Sequence, residues 1–160
     1  MFGKQPPMLQ CRPLCSPSLV SRIPPSQVVA PSKLTNRSNY SLFKDGVEPT
    51  WEDAQNREGG KWVVCVDKGA GLDELWLYCV LGLIGESMDA ESEICGGVVS
   101  VRKGGDKLAI WTKSGNDRNK QLLVAQRLRV LLQLPIDVPL SYMLHADANE
   151  ASAAAGALEP

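Results

Sequence analysis

The chain has 160 residues and a formal net charge of −1, which excludes a general electrostatic attraction to nucleic acid. With 44% hydrophobic residues it is long enough to bury the core of one globular domain. Its single histidine, His145, argues against a zinc site or a histidine-based catalytic triad. The sequence has no apolar run of about 18 residues, so we expect no membrane span.

Charge is distributed unevenly along the chain. The first acidic residue is Asp45, and six basic residues precede it. Residues 45–160 then hold 11 basic and 18 acidic residues. Any anion site in this part must therefore be a local cluster of cations rather than a general basic field.

Residues 1–32 hold seven of the eleven prolines, which predicts a disordered tail rich in proline and serine. The same prolines would break the amphipathic helix of a targeting peptide, so we do not expect this segment to direct the chain to an organelle. The five cysteines form no CxxC pair. Cys65, Cys79 and Cys95 lie in apolar segments, which predicts buried reduced thiols in an intracellular protein.

The domain is predicted to begin at Lys33 with loops and one strand. Residues 40–46 run into a turn at Asp45-Gly46, and 56–60 (NREGG) form a second turn. Residues 62–67 (WVVCVD) have the continuous apolar run of a buried strand, with Lys61 at its entrance.

The next segment has the apolar period of a helix from Leu72 to about Ser87. Its predicted core stripe recurs every three or four residues and comprises Leu72, Leu75, Trp76, Cys79, Val80, Leu83 and Ile84. Leu77 and Leu81 fall outside this stripe, four residues apart. Either another layer of the chain covers these two leucines, or they form a ridge that binds a partner.

Residues 94–113 (ICGGVVSVRKGGDKLAIWTK) are predicted to form a β-hairpin with Gly104 and Gly105 as its two turn residues. This register places Arg102 opposite Lys107 and Val98 opposite Trp111. Because side chains alternate between faces, one face carries the apolar residues Val99, Val101, Leu108 and Ile110. The other face combines two cations with Trp111 and small residues, which suits an anionic ligand with a flat ring.

After the hairpin, Asp117 can cap a second helix that runs to about Gln133. Its residues predicted to face the sheet are Leu122, Ala125, Leu128, Leu131 and Leu132. Residues 136–144 predict one more strand around Pro139, and 149–160 an alanine-rich flexible tail. The order of elements over 33–148 predicts an α+β domain, a curved and mainly antiparallel sheet with helices on one face.

Five motifs occur together over about 110 residues: YSLFKDGVEPTWED (40–53), NREGGKW (56–62), LGLIGES (81–87), VSVRKGGDKLAIWT (99–112) and HADA (145–148). In order and spacing they resemble the eukaryotic translation initiation factor 4E family, which binds the 7-methylguanosine cap of mRNA. The resemblance implies a cupped antiparallel sheet that holds the cap on its concave face and helices on its convex face.

The resemblance also implies roles for residues near the cap. Trp51 resembles one of the two tryptophans that sandwich the methylated guanine, and Glu52 resembles the carboxylate that accepts hydrogen bonds from the base edge. Methylation makes the base cationic, so a cation–π term adds to base stacking of ~1–3 kcal/mol. The other implied cap residues are Arg102 and Lys107 for the phosphates, Lys61 nearby, and Trp111 against the methyl group.

On the helix, the resemblance implies a partner site at Leu77, Leu81 and Trp76. Its implied partners are a scaffold initiation factor and repressor proteins of the 4E-binding type. The implied activity is binding without catalysis and without a cofactor, in the cytoplasm, with a nuclear location as an open alternative. No membrane partner is expected.

The sequence departs from the family pattern in two places. Phe2 is the only aromatic residue before Tyr40, so residues 1–39 cannot supply the family's first sandwiching tryptophan, opening strands and scaffold-contact helix. Gly104 stands where the family has a further cation, and the segment beyond HADA also differs. We therefore expect a truncated or variant form with weakened cap binding, and missing strands would expose a sheet edge and favour self-association.

Two other interpretations remain. The chain is then either a regulatory fragment that binds scaffold or repressor proteins through helix 72–87 without binding cap, or an α+β fold without function. An enzyme is the least favoured interpretation, because His145 has no evident nucleophile as a partner.

Overall fold

The computed structural model describes residues 9–10, 29–89 and 92–147. Six strands form one sheet: β1 (Leu9–Gln10), β2 (Asn39–Phe43), β3 (Gly60–Val66), β4 (Ile94–Ser100), β5 (Asp106–Thr112) and β6 (Leu140–Leu144). The helices are α1 (Leu72–Ile84) and α2 (Arg118–Leu131), with a 3₁₀ turn at Pro31–Lys33. Most of the two predicted tails lies outside the described residues, and their predicted disorder stays a prediction.

The strands are arranged in the order β1-β2-β4-β5-β3-β6. All neighbours are antiparallel except β1 and β2, which are parallel. Both helices pack on the same face of the sheet, and the main core joins sheet and helix residues: Val64, Val99, Leu108, Ile110, Cys79, Val124 and Leu128. The predicted α+β class with a mainly antiparallel sheet is therefore confirmed.

Neither α1 nor α2 packs on the other face of the sheet, which we call the open face. Its side chains alternate with the core residues along each strand and include Phe43, Lys61, Val98, Lys107 and Trp111. Opposite chemistry on the two faces follows directly from the two-residue period of a strand.

The β4–β5 hairpin forms, but the predicted register is wrong. Ser100 lies opposite Lys107 and Gly96 opposite Trp111, because the connection spans residues 101–105 rather than two glycines. Asp106 closes this longer connection by accepting a hydrogen bond from the Arg102 N–H (3.0 Å). The register shifts by two residues, an even number, so every strand side chain stays on its predicted face.

Helix α1 begins at Leu72 as predicted and ends at Ile84, three residues before the predicted end. The C-terminal Gly85 N–H donates to the Leu81 carbonyl, and Glu86 then takes a positive φ of 51° that leaves the helical path. Cys79 and Leu72 are buried as predicted, whereas Ile84, predicted in the core stripe, is 37% exposed. Ile84 therefore extends the exposed Leu77–Leu81 side of the helix.

Helix α2 begins as predicted, with the Asp117 carboxylate accepting from the Lys120 N–H (3.2 Å). Leu128 and Leu132 are buried as predicted, and Leu131 packs against the core. In the first turns the prediction is wrong, because Gln121 and Val124 are buried and Leu122 is 48% exposed. Glu93, buried at the start of β4, explains the buried glutamine by accepting from its side chain (3.3 Å). In the described ranges, no helix has the length and apolar composition that crossing a membrane requires.

Strand β3 is not buried on both faces as predicted. Val64 and Val66 face the core, but Cys65 between them is exposed on the open face. The prediction of a buried thiol is wrong for Cys65. It is confirmed for Cys79 and Cys95, both of which are free and buried.

Candidate functional site

A row of paired residues crosses the open face from β2 to β5. Phe43 lies opposite Gly96, and Gly96 lies opposite Trp111. Since Gly96 has no side chain, the two rings on either side of it meet edge to face, with centroids 5.3 Å apart and planes at 80°. A Cβ at position 96 would lie 2.5 Å from the Phe43 ring. The glycine therefore makes this aromatic contact possible.

Two further groups surround Trp111. The His145 ring lies 4.2 Å from it between centroids, and the Lys61 ammonium lies 5.9 Å from the indole centroid. Lys61 reaches this position because it pairs with Trp111 across β3 and β5. His145 directly follows β6 and is fixed by its main-chain N–H, which donates to the Gly59 carbonyl (3.1 Å). Trp111 thus contacts two aromatic rings, those of Phe43 and His145, and lies near one ammonium group, that of Lys61.

The cations of the open face create a local positive potential. Burial, and next the nearby Lys107 ammonium, lower the pKa of Lys61. Burial and then Lys61 lower the pKa of His145 to about 4, so its imidazole is neutral at pH 7. Within the described residues neither Lys61 nor Lys107 forms an ion pair. These two ammonium groups are available to an anionic ligand.

Arg102 lies in the β4–β5 connection, beyond the end of the strand. Its guanidinium donates to the Ser38 carbonyl (3.2 Å) and to the Asn39 side-chain oxygen (2.9 Å). Asn39 belongs to the row Asn39–Ser100–Lys107, so Arg102 reaches the same end of the sheet as Lys107. Part of its hydrogen-bonding capacity is already used within the protein.

Trp51 and Glu52 lie in the loop 44–59, which leaves β2 next to Phe43 and enters β3 at Gly60. Trp51 is 45% exposed, and the Glu52 side chain is also exposed. Val47 and Cys95 attach the loop to the open face by packing in one cluster with Phe43, against which Trp111 also packs. The Trp51 indole is therefore accessible, on a loop attached at the Trp111 end of the sheet.

Hydrogen bonds hold this loop in one shape. The amide of the buried Asn56 donates to the carbonyls of Glu48 and Thr50 (both 2.8 Å), immediately before Trp51. The Asp53 carboxylate accepts from the Glu48 N–H (3.0 Å) and the Gln55 N–H (2.8 Å). A preformed loop reduces the conformational entropy that a ligand must overcome to order it.

The open face therefore has an aromatic end and a cationic end. Trp111 and Lys107 are four residues apart on β5, which separates them by about 13 Å along the strand. Lys61 lies beside the aromatic end and Arg102 beside the cationic end. The structure places Trp111, Lys61 and Lys107 on one face, whereas Trp51 and Glu52 are exposed residues of the loop that Val47 attaches to that face.

The sequence analysis missed Phe43 and His145 as neighbours of Trp111. The alternation of residues 40–43 could have placed Phe43 on the side opposite to Leu42. No local pattern could have brought His145 to Trp111, because that contact depends on β6 pairing with β3.

The residues of the predicted partner site lie on the other side of the molecule. Leu77 and Leu81 are 53% and 56% exposed, so nothing in the described part of the chain covers them. With Ile84 they form an exposed stripe at helical spacing, which we call the α1 ridge. Trp76 is partly buried and packs against the main core. Trp76 therefore helps to hold α1 on the sheet and is less accessible to a partner than the two leucines.

The sequence matches the family described as Eukaryotic initiation factor 4E over residues 25–157. Eukaryotic translation initiation factor 4E1 of Drosophila melanogaster is 42% identical over 124 residues, which cover 76% of this chain and 48% of the relative. Human eukaryotic translation initiation factor 4E is 43% identical over 120 residues, covering 72% and 55%. The chain thus spans about half the length of these curated relatives.

The fold is similar to solved structures of the same kind. Caenorhabditis elegans eIF4E-3, in a complex with the 4E-binding protein Mextli and cap analog, superposes with a TM-score of 0.75 and 36% identity, covering 78% of this chain and 72% of that one. Ascaris suum eIF4E-3 in a complex with m2,2,7G cap gives a TM-score of 0.72 and 40% identity, covering 75% and 69%.

Replacing Gly96 with alanine should break the aromatic contact. The new Cβ would lie 2.5 Å from both the Leu42 carbonyl oxygen and the Phe43 ring, so we expect G96A to lose about 1–3 kcal/mol of unfolding free energy. Urea unfolding measures the loss, and G104A is the control because a Cβ there meets open space. Equal stability of the two variants would contradict the role of Gly96.

Replacing Asn56 with aspartate should loosen the Trp51 loop. The variant N56D puts a carboxylate oxygen against two carbonyl oxygens, which we expect to cost about 1–3 kcal/mol. Urea unfolding and proteolysis within residues 48–58 measure the effect. The neighbouring exposed variant Q55E makes the same charge change and should leave both measurements unchanged. If N56D resists protease as well as Q55E does, Asn56 does not hold the loop.

Folding stability should fall at acidic pH through His145. Its pKa is about 4 when folded and about 6.5 when unfolded, so between these values the unfolded chain binds the extra proton. The stability that the neutral His145 imidazole contributes is complete above pH 6.5 and is lost as the pH falls toward 4. Urea unfolding at pH 7 and pH 5.5 should show about 1 kcal/mol more loss in the wild type than in H145Q. The same pH dependence in both would show that His145 is not responsible.

Proposed function

Because the chain belongs to the eukaryotic initiation factor 4E family, we propose that its open face binds the 7-methylguanosine cap of mRNA, the recognition step of translation initiation. The observation that carries this proposal is that Trp111 shares one face with two ammonium groups, Lys61 and Lys107, which form no ion pair with any described residue. The relatives from C. elegans and A. suum are described in complexes with cap analog and m2,2,7G cap, which supports the same ligand here.

In the proposed complex the base occupies the aromatic end of the open face. Trp51 stacks on the methylated base, whose positive charge adds a cation–π attraction to ordinary stacking. The Glu52 carboxylate accepts hydrogen bonds from the N–H groups of the base edge, which are charge-assisted. Trp111 lies against the methyl group. The methyl group is thus recognised by its charge as well as by its shape.

The phosphates extend from the base toward the cationic end. Lys107 and Arg102 bind them there, and Lys61 adds positive charge beside the base. The guanidinium of Arg102 is already oriented by Asn39 and Ser38, so little side-chain entropy is lost when a phosphate binds. The proposed function consists of binding alone, with no catalytic step and no cofactor, in the cytoplasm.

We also propose that this chain by itself binds the cap more weakly than its longer relatives. Of its four tryptophans, Trp62 packs against Tyr142 and the core, and Trp76 packs under α1. Only Trp51 remains to stack on an exposed face of the base, beside Trp111 at the methyl group. The loss of one stacking partner corresponds to ~1–3 kcal/mol, or about 5–150-fold in affinity.

Cap binding can be measured by calorimetry with 7-methyl-GTP and with GTP. We expect the wild type to bind 7-methyl-GTP more tightly than GTP, and W51A to lose that preference. K107A should lower the affinity for both nucleotides about equally. The charge-matched control is K33A, an exposed lysine on the 3₁₀ turn. Equal affinity of the wild type for the two nucleotides would refute cap recognition, and affinity equal to a full-length relative would refute only the weakening.

A second function is favoured by the α1 ridge. We propose that a scaffold initiation factor and repressor proteins of the 4E-binding type bind there, as the C. elegans relative is described with the 4E-binding protein Mextli. The ridge and the open face lie on opposite sides of the sheet. A chain with little cap affinity could therefore still act as a regulator through its partners.

Partner binding can be separated from cap binding by substitution. A helical peptide from a 4E-binding protein should bind L81A at least tenfold more weakly than the wild type, because a central apolar contact is lost. W51A should bind the peptide normally. V130A shortens an exposed apolar side chain of α2, away from the α1 ridge, and is the control. Normal peptide binding by L81A would exclude the α1 ridge as the partner site.

A further inference from the structure

Among the described strands, β6 is an edge strand of the sheet. It pairs with β3 on one side, and no described residue pairs with its other side. The His145 N–H donates to the Gly59 carbonyl, so the odd-numbered residues of this antiparallel ladder exchange hydrogen bonds with β3. The backbone N–H and C=O groups of Leu140, Tyr142 and Leu144 therefore point outward.

The residues of this strand themselves offer little protection against pairing, and no described residue covers its outer side. Its sequence LSYML contains no charged residue and no proline. Natural edge strands typically avoid pairing with other chains through charged side chains, prolines, bulges or a covering segment. Met143 adds apolar surface, as it is 42% exposed on the open face.

We propose that two copies of this chain pair through β6, antiparallel about a two-fold axis at Tyr142. In this register Tyr142 lies opposite its own copy, and Leu140 lies opposite Leu144. These are hydrogen-bonded pairs, so each outward N–H meets an outward carbonyl of the second copy. The result is one continuous sheet with both open faces on the same side.

The side chains are compatible with a second copy as the occupant. On the open face, Ser141 of one copy lies opposite Met143 of the other. A small residue therefore faces a large one, and neither residue carries a charge. Leu140 and Leu144 form an apolar pair on the other face. A two-fold contact is closed, which limits the assembly to a dimer.

Cross-linking tests the register directly. Residues 141 and 143 of opposite copies would form a non-hydrogen-bonded pair, with Cα atoms about 4.5 Å apart, within the range of a disulfide. In a C65S background, oxidation of a mixture of S141C and M143C chains should give a cross-linked dimer. Each variant alone should give much less, because its cysteines do not lie opposite each other. Equal yields from the mixture and the separate variants would overturn the register.

Charge substitution tests the interface in solution. In size-exclusion chromatography with light scattering, the wild-type chain of 160 residues should have twice its monomer mass of 17.3 kDa. The dimer should dissociate on dilution. S141E/M143E sets like charges opposite each other in both pairs and should weaken the dimer at least tenfold. In the monomer, position 143 faces Lys61, so the variant should keep its circular dichroism spectrum and melting temperature.

The matched control is L122E/V130E, which adds the same two charges to exposed positions of α2. It should remain a dimer. A wild type that is monomeric at every concentration would overturn the proposal. So would a dimer that persists in S141E/M143E, or one that is lost only in L122E/V130E. These outcomes are independent of cap binding, which is measured on the monomer at low concentration.

Discussion

The contact of Phe43 with Trp111 over Gly96 is the interaction on which the site depends. It fixes the indole at the aromatic end of the open face, where β2, β4 and β5 lie side by side. The same cluster includes Val47 and Cys95, so it also attaches the loop that presents Trp51. Because Gly96 has no side chain, Phe43 can contact both Trp111 and the residues that anchor the loop. Trp111 and Trp51, the two tryptophans of the proposed base site, therefore both depend on this glycine.

The electrostatics of the site are local, as a chain with net charge −1 requires. Acidic residues elsewhere are engaged in structural roles, for example Asp106 with Lys68 and Asp89 with Lys44. The cations of the open face have no such partners in the described ranges. Burial, and next the repulsion by the Lys107 ammonium, lower the pKa of Lys61.

The two faces of the sheet separate two proposed activities. Recognition of a nucleotide uses the open face, and recognition of a protein uses the exposed side of the helix that covers the other face. Since the core lies between them, a substitution on one surface need not disturb the other. The open edge at β6 is a third surface, and it arises from backbone groups rather than from side chains.

Part of the site could be predicted from the sequence because strand periodicity is local. The hairpin residues keep their faces even though the predicted register is wrong, since a shift by an even number of residues preserves the alternation. The sequence also predicted the cap of α2 at Asp117. The C-terminal half of α2 was predicted correctly, but its first turns were not, because the buried Gln121 is stabilised by Glu93, a residue distant in sequence that no apolar pattern reveals.

The amino-acid sequence alone determined the fold class, the faces of the hairpin, the exposed leucines of α1 and the family resemblance with its candidate residues. Only the tertiary structure decided that Phe43 and His145 enclose Trp111, that Arg102 turns back to Asn39, and that Cys65 faces outward. The reason is physical. Alternation and helical period are properties of neighbouring residues, whereas these contacts depend on which strands pair and where a connection ends.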